Sequence, residues 1–302
     1  MRNLERTQSC NVFLYERGYT KMNNITIVTD SASDLDINLM AEYNIKFAPI
    51  TVDINGEIYL DKINIDSTTF FEKIKEKNIF PKTAQVQPYA FEKIFEKELA
   101  EGNDVLCITL SRELSGTNNS AHIAKDSLQS DRIHIIDSET VTIALGFLVY
   151  EAAKKVREGK NIDEIISYIN ELIERQESII YLDTMEMLKR GGRISPAKAT
   201  IGGMLGIKPI LTIKKGLLEP IGKAKGRKAA VKKIVEYIRS KNIDTAFTTM
   251  VAYSEDKTEC DKLVKILSHE FNITDFMIGE IGPSVGSHSG AGALAVFFIN
   301  NY

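Results

Sequence analysis

The feature that most constrains the fold of this chain is an alternation of short apolar runs with helical segments. Residues 25–29, 105–110 and 133–137 are runs rich in isoleucine and valine, and each is followed by turn residues and then by apolar side chains at helical spacing. Strands that alternate with helices are typical of a parallel sheet covered on both faces. The pattern therefore predicts an α/β fold, with a parallel sheet flanked by helices in a domain of residues 24–175. The predicted helices of this domain include residues 70–77, 90–99, 143–156 and 163–175.

A second pattern begins near residue 176. Residues 207–213 and 217–222 flank a Lys-Lys-Gly turn, which predicts a β-hairpin. The later segments predict two helices and two strands, at residues 228–239, 257–271, 246–252 and 276–281. Because 302 residues are enough for two domains, we predict a C-terminal α/β domain with a mixed or antiparallel sheet in residues 176–302.

Composition and charge exclude several classes of protein. The formal net charge of −3 argues against nucleic-acid binding, which needs a basic excess to displace counterions from phosphates. The sequence has no apolar run that would span a bilayer and no secretory signal, so we expect no stable membrane insertion. The three cysteines are far apart and lack metal-ligand spacing, which indicates a cytoplasmic location and no metal. We expect residues 1–23 to be a disordered N-terminal extension, with Met22 as a candidate true start.

The stretch 105–121, VLCITLSRELSGTNNSA, combines a strand, a hydroxyl-rich turn and the start of a helix. Ser115, Gly116 and Thr117 would then lie at a helix N-terminus, where free N–H groups and the helix dipole favour an anion. A hydroxyl and a glycine at this place suit an external ligand as well as a helix cap. The Ser-Gly-Thr sequence alone is a weak motif and does not identify the anion.

Polar residues also follow the other two predicted parallel strands. Asp30 and Ser31 follow the first strand, and Asp137 and Ser138 follow the third. Because ligands of open α/β sheets bind beyond the carboxyl ends of the strands, these residues and Ser115 would face one crevice. For Asp30 and Asp137 the simpler interpretation is that they cap helices or brace loops.

Two further segments can supply contacts to the same anion. Residues 82–88, KTAQVQP, carry threonine and glutamine in a predicted loop, and Pro88 suits the first turn of the next helix. Residues 281–292, IGPSVGSHSGAG, form a predicted glycine- and serine-rich loop around His288. A histidine in such a loop has few packing partners, which favours a ligand contact over a structural role.

With these segments, residues 24–301 resemble the DegV family of bacterial fatty-acid-binding proteins. The matching segments are ITIVTDSASDL, KTAQVQP, LSRELSGTNNSA, IIDSETVTIALG, MLKRGGRIS with LGIKPIL, and IGPSVGSHSGAGAL. Each motif is moderately specific, and their order along the chain strengthens the resemblance. The second motif commonly reads Thr-Ser-Gln-Pro-Ser-Pro in the family, whereas this chain has Ala84, Val86 and Gln87. Asn118 stands where the family commonly has an aromatic residue.

The resemblance implies a lipid-binding protein that holds a long-chain fatty acid such as palmitate as a ligand between the two domains and uses no cofactor and no catalytic residue. The fatty acid carboxylate would contact Thr83, Ser115 and His288. A buried carboxylate needs hydrogen-bond donors. About fifteen buried methylene groups at ~0.8 kcal/mol each would supply on the order of 12 kcal/mol before immobilisation costs. Further candidates are Gly116, Thr117, Ser31 and Gly286 for the pocket, and residues 202–206 and 293–298 for the acyl tail.

The resemblance also implies a protein partner, because members of the family present the fatty acid to a separate ATP-dependent fatty acid kinase subunit. Residues 189–233 contain thirteen lysines and arginines and one acid, Glu219, so this basic segment carries +12 and the rest of the chain −15. Such a concentration of charge favours a docking surface over an ordinary solvated face. Arg193 and Arg227 match family positions near the ligand or the partner, and we expect them to contact the kinase or the emerging phosphate.

Two alternative functions stay open at this point. In a serine-dependent acyl hydrolase, Ser115 would be the nucleophile and His288 the base, although Ser115 lacks the Gly-x-Ser-x-Gly context of a nucleophile elbow. A nucleotide or sugar-phosphate binder would need a Walker loop or a Gly-x-Gly-x-x-Gly fingerprint, and the sequence contains neither.

Overall fold

The computed structural model describes residues 24–77, 79–194 and 206–301. The expected N-terminal extension, with Met22, and residues 202–205 of the expected tail segment lie outside the described residues. The described strands, in chain order, are β1 (Ile25–Asp30), β2 (Lys46–Ala48), β3 (Thr51–Ile54), β4 (Glu57–Leu60), β5 (Lys82–Ala84), β6 (Asp104–Thr109), β7 (Ile133–Asp137), β8 (Gln176–Tyr181), β9 (Ile207–Lys214), β10 (Leu217–Lys225), β11 (Thr249–Tyr253), β12 (Phe276–Glu280) and β13 (Leu294–Ile299).

The described helices surround and connect three sheets. They are α1 (Ile37–Glu42), α2 (Ser67–Lys77), α3 (Pro88–Ala100), α4 (Thr117–Leu128), α5 (Ile143–Arg157), α6 (Ile162–Arg175), α7 (Glu186–Arg190), α8 (Gly226–Ser240), α9 (Lys257–Phe271) and α10 (Pro283–Ser289). Local sequence explains several helix starts: Pro88 lies in the first turn of α3, and Asn161 and Glu164 form a capping box at the start of α6. None of the helices in the described ranges is long and apolar enough to cross a membrane.

The first sheet confirms the predicted parallel sheet. Its order is β2-β1-β6-β7, and all of its pairs are parallel. Every residue of β1 is buried, as expected for a sheet covered on both faces. The carboxyl ends of β1, β6 and β7 therefore lie side by side at one edge of the sheet.

The second sheet confirms the predicted mixed sheet. Its order is β10-β9-β8-β13-β11-β12, and only the β11–β12 pair is parallel. The predicted hairpin is β9 and β10, with an irregularity in the pairing between Pro220 and Gly222. Helix α5 packs on β1 of the parallel sheet and on β11 and β12 of the mixed sheet. Most of its side chains are therefore buried between the two sheets.

The third sheet was not predicted from the sequence. It is antiparallel, with the order β4-β3-β5, and β5 lies in the segment that we predicted to be a loop. Thr83 is the central residue of β5 and pairs with Val52 of β3. The correction matters for the site, because a strand holds Thr83 more firmly than a loop would.

The prediction of a loop around His288 was wrong, because His288 lies on helix α10. The N–H groups that begin this helix donate to distant carboxylates, from Gly282 to Asp34 Oδ1 at 3.0 Å and from Ser284 to Asp61 Oδ2 at 3.3 Å. Gly286 brings α10 against the rings of two phenylalanines, where a Cβ atom would lie 2.9 Å from the Phe71 ring.

Candidate functional site

A largely apolar cavity lies between the parallel sheet and the mixed sheet. It contains about 840 Å³ that no protein atom occupies, a figure that includes space open to solvent. Its apolar lining includes Ala32, Ile50, Leu110, Leu114, Val141, Ile180, Leu182, Leu188, Leu211 and Leu218. Ala32 and Leu110 follow the carboxyl ends of β1 and β6, so the cavity occupies the place that the strand ends predicted.

The predicted head-group residues Thr83, Ser115 and His288 all line this cavity. Thr83 Oγ1 and His288 Nε2 are 2.8 Å apart and form a hydrogen bond, although the residues are separated by 205 positions. Arg193 lines the cavity too, and its Nε donates to the carbonyl oxygen of Leu114, next to Ser115, at 3.0 Å. Four side chains from distant parts of the chain thus form one polar cluster: Thr83, Ser115, Arg193 and His288.

The start of α4 fixes the position of Ser115. Ser115 Oγ lies 2.9 Å from Thr117 Oγ1, and the Thr117 N–H donates to Ser115 Oγ at 3.3 Å. The N–H of Val86 donates to Thr117 Oγ1 at 3.2 Å. Thr117 is fully buried and does not line the cavity. Its hydroxyl therefore positions Ser115 and the loop of Val86.

Gly116 is the N-cap of α4 and does not line the cavity. A Cβ atom at this position would overlap the side chain of Gln85. The glycine therefore allows Gln85 to cross the helix start, where Gln85 Nε2 donates to Ser120 Oγ at 2.9 Å. Gln85 itself lines the cavity.

His288 is neutral at physiological pH. Burial, with a smaller contribution from the positive charge of Arg193, lowers the pKa of His288 to about 4. Its Nδ1 has no hydrogen-bond partner among the described residues. A Cβ atom on Gly191 would overlap this nitrogen, so Gly191 lets the backbone after α7 approach the imidazole ring. His288 can donate or accept one hydrogen bond at Nε2, but it supplies no positive charge.

Arg193 is the only charged residue that lines the cavity among the described residues. Its guanidinium donates to the carbonyl oxygens of Leu114 and Gly191, at 3.0 and 2.6 Å, and no described carboxylate pairs with it. Burial lowers its pKa from the ordinary value, yet an arginine side chain stays protonated in proteins. The head of the cavity therefore carries one positive charge with no counterion from the described residues.

Three other predicted residues lie away from the cavity lining. Ser31 Oγ accepts the N–H of Ile50 at 3.0 Å, so its role in the fold is structural. Gly286 faces the aromatic rings packed on α10. Arg227 forms ion pairs with Asp183 and Asp256, each at 3.5 Å.

The polar residues at the strand ends follow the simpler interpretation. Asp30 accepts the N–H groups of Ala32 and Leu110, at 3.0 and 2.8 Å, and so joins the ends of β1 and β6. Burial raises the pKa of Asp30 to about 7. Asp137 accepts the N–H of Arg112 at 3.2 Å. No group of three histidine, cysteine, aspartate or glutamate side chains in the described part of the chain is arranged to hold a metal ion.

Strand β13 and the residue before it supply part of the apolar wall. Ala293, Ala295 and Phe297 line the cavity. The alternate residues Leu294, Val296 and Phe298 pack with α8 and α9 in a second hydrophobic core, on the other side of the mixed sheet. This alternation is the period of two that a strand imposes on its side chains. Of the two tail candidates, residues 293–298 therefore contribute through every second side chain.

Sequence analysis missed Ser284 as a lining residue. Its Oγ is buried and has no hydrogen-bond partner among the described residues. Ser284 and His288 are four residues apart on α10, so they lie on the same face of that helix. A correct prediction of the helix would have placed both side chains together.

Comparison with known proteins places this geometry in a family. A family model described as "Uncharacterised protein, DegV family" matches residues 24–301. The chain belongs to the DegV family. A DegV domain-containing protein of Caldanaerobacter subterraneus subsp. tengcongensis is 37% identical over 278 residues, which cover 92% of this chain and 99% of the relative. Another from Clostridium acetobutylicum is 37% identical over 283 residues, 93% of this chain and 100% of the relative.

Solved structures of DegV proteins share the whole fold. A structure described as fatty acid binding of a DegV family protein from Thermus thermophilus superposes with a TM-score of 0.84 at 30% identity and covers 92% of this chain and 100% of its own. DegV of Bacillus subtilis, described as a fatty acid binding protein, has a TM-score of 0.81 at 30% identity, with 92% and 99% covered.

The described residues of the cavity do not form the hydrogen-bonded serine–histidine pair that a serine hydrolase needs. His288 Nε2 bonds to Thr83, whereas Ser115 Oγ bonds to Thr117. No described side chain orients the imidazole through Nδ1. A histidine whose pKa is about 4 is also a weak general base. The arrangement holds an anion better than it activates a nucleophile.

Proposed function

We propose that this DegV protein binds a long-chain fatty acid, such as palmitate, with its carboxylate at Thr83, Ser115, His288 and Arg193 and its acyl tail in the apolar cavity. One observation carries the proposal: a single positive charge without a described counterion lies at one end of a cavity whose walls are apolar. A fatty acid has the same distribution, with one negative charge and an apolar chain.

Hydrogen bonds and charge have separate roles in this proposal. With the Nε2–H of His288 donating to Thr83 Oγ1, the hydroxyl hydrogens of Thr83 and Ser115 can donate to carboxylate oxygens, and Arg193 balances the negative charge. Burial of a carboxylate is costly unless it is both paired and hydrogen-bonded. The tail then supplies affinity at about 0.8 kcal/mol for each buried methylene.

The bound fatty acid is cargo in this proposal, and the protein is not an enzyme. We propose that it presents the carboxylate to a fatty acid kinase in the cytoplasm, with the basic segment of residues 189–233 as the docking surface. Part of that charge is balanced within the chain, since Lys208 pairs with Asp183 at 2.8 Å and Arg190 pairs with Glu186 at 2.7 Å. Arg227 remains 40% exposed in the side chain and can reach a partner.

Substitution of Arg227 by alanine tests the docking role. We expect lipid affinity to stay unchanged, because Arg227 does not line the cavity, and kinase-dependent formation of acyl phosphate to fall about tenfold, the effect of a lost charge pair at an interface. Arg239→Ala is the control, because Arg239 lies in the same helix but outside residues 189–233 and pairs with Glu270 at 2.7 Å. Turnover by the Arg227 variant equal to that of the wild type would contradict this part of the proposal.

Mass spectrometry tests the binding function itself. Solvent extraction of the purified protein is expected to release close to one equivalent of a long-chain acid of about sixteen to eighteen carbons, the class of ligand proposed above. Labelling of Ser115 by a fluorophosphonate reagent, with no extracted acid, would instead support the hydrolase alternative.

A further inference from the structure

The elements that line the apolar cavity between the two sheets, called the acyl cavity from here on, also line a second, smaller cavity of about 300 Å³. Three elements each contribute one residue to the acyl cavity and a nearby residue to the second cavity. The pairs are Val141 and Thr140, Ile180 and Ser178, and Leu211 and Ile213. The second cavity is therefore a neighbour of the acyl cavity, although the two share no lining residue.

The second cavity is polar, unlike the first. Its lining includes Ser138, Thr140, Gln176 and Ser178. Thr140 is only 2% exposed, yet its Oγ1 has no hydrogen-bond partner among the described residues, and the same is true of the buried Gln176 Nε2. A buried hydroxyl or amide without a partner is unfavourable. A ligand that brings its own hydroxyl group would satisfy both atoms.

The register of β13 on β8 gives the distance between the two regions. Phe297 pairs with Ser178, and Ile299 pairs with Gln176. At about 3.4 Å per residue, Phe297 lies roughly 14 Å along the strand from Ala293. The hydrocarbon core of a bilayer is about 30 Å thick and consists of two leaflets. One acyl chain spans one leaflet, so its reach is about 15 Å. A chain that runs along this wall therefore ends near Phe297, where the polar cavity begins.

We propose that the second cavity recognises a hydroxyl group at or near the ω end of a long-chain fatty acid, so that this DegV protein accepts hydroxylated acids as well as plain ones. The inference rests on the proposed fatty acid binding and adds a substrate class to it. Glu139, Glu177 and Lys215 also line the cavity, and Lys241 Nζ pairs with Glu177 Oε1 at 2.9 Å. With two carboxylates and two lysines, the cavity has no positive excess to balance a second carboxylate, and a neutral hydroxyl is the better fit.

Affinity measurements on the full-length protein test this assignment. The dissociation constants of hexadecanoic acid and 16-hydroxyhexadecanoic acid are compared for the delipidated wild type and for Thr140→Val, which removes the hydroxyl and keeps the shape. Thr249→Val is the matched control, because Thr249 is also buried with an unpartnered Oγ1 but lines neither cavity.

We expect the wild type to bind the two acids with affinities that agree within about threefold. Thr140→Val is expected to weaken binding of the hydroxy acid about tenfold and to leave that of hexadecanoic acid unchanged, and Thr249→Val should change neither. Rejection of the hydroxy acid by the wild type, or equal effects of Thr140→Val on both ligands, would overturn the inference and leave the proposed function intact. Binding of hexadecanedioic acid as tight as that of the hydroxy acid would overturn the choice of a neutral group. Failure of hexadecanoic acid itself to bind would instead refute the proposed function.

Discussion

Replacement of Arg193 by methionine will weaken the binding of hexadecanoic acid by about 100-fold or more. The carboxylate would then be buried without a cation, and loss of one partner of a buried charge pair costs about 2–5 kcal/mol. Methionine keeps much of the apolar stem, so the tail contacts remain. Arg190→Met is the matched control, because Arg190 is exposed, pairs with Glu186 and lies over the ring of Phe80 outside the cavity.

Two further measurements separate charge from hydrogen bonding in this result. Hexadecan-1-ol carries no charge, so Arg193→Met should change its affinity far less than that of the acid. The pKa of His288 is about 4, so its ring stays neutral between about pH 6 and 8 and should impose no titration on the affinity of the acid. Because the pKa of Asp30 is about 7, the pH profile is compared with that of His288→Gln. A fall in affinity through about pH 6.5 that His288→Gln abolishes would mean that a protonated His288 supplies the charge, which would contradict the assignment to Arg193.

Replacement of Phe297 by alanine will lengthen the preferred acyl chain and lower the free energy of unfolding of the empty protein by about 3–5 kcal/mol. Phe297 is fully buried and lines the acyl cavity. Its removal leaves space that a longer tail can fill. Phe298→Ala is the matched control, because Phe298 is the next residue on β13, is equally buried, and packs in the other core.

The two variants should differ in ligand response rather than in stability alone. Both should unfold at lower denaturant concentration without ligand. Only Phe297→Ala should shift its preference towards acids two to four carbons longer, roughly the length of the lost ring, and regain stability when such an acid is added. An identical chain-length profile for the two variants would show that Phe297 does not limit the tail.

The elements that local sequence predicted are those whose stability comes from near neighbours. The parallel strands alternate with amphipathic helices, and α9 was predicted with its observed bounds of Lys257–Phe271. The hairpin β9–β10 was predicted from its short turn. In each case periodicity and turn residues in one window agree with the final fold.

Strand β5 and helix α10 could not be predicted in the same way, because distant residues form them. β5 has only three residues and is a strand because β3, some thirty positions earlier, pairs with it. Residues 283–289 have weak helix propensity, with a glycine and three serines in seven positions. Their first N–H groups are satisfied by Asp34 and Asp61, more than 200 positions away.

The site was predictable in its polar residues and not in its apolar wall. Thr83, Ser115 and His288 lie in motifs that the family resemblance identifies, whereas Arg193 was expected near the ligand or the partner, to contact the kinase or the emerging phosphate, and lines the cavity. Residues such as Ile180 and Leu211 belong to buried strands that are apolar on both faces, so the sequence does not distinguish cavity lining from core.

The hydrogen bond between Thr83 and His288 has a consequence for work with the purified protein. It joins residues 205 positions apart, so the head-group site exists only while both halves of the chain are packed together. A ligand that binds only this packed state stabilises it, by about 2.7 kcal/mol at a concentration 100 times its dissociation constant. With a fatty acid as the proposed ligand, the melting temperature therefore reports the fraction of the protein that carries lipid. Two preparations of the same sequence are expected to melt at different temperatures when the expressing cells were grown on different fatty acids.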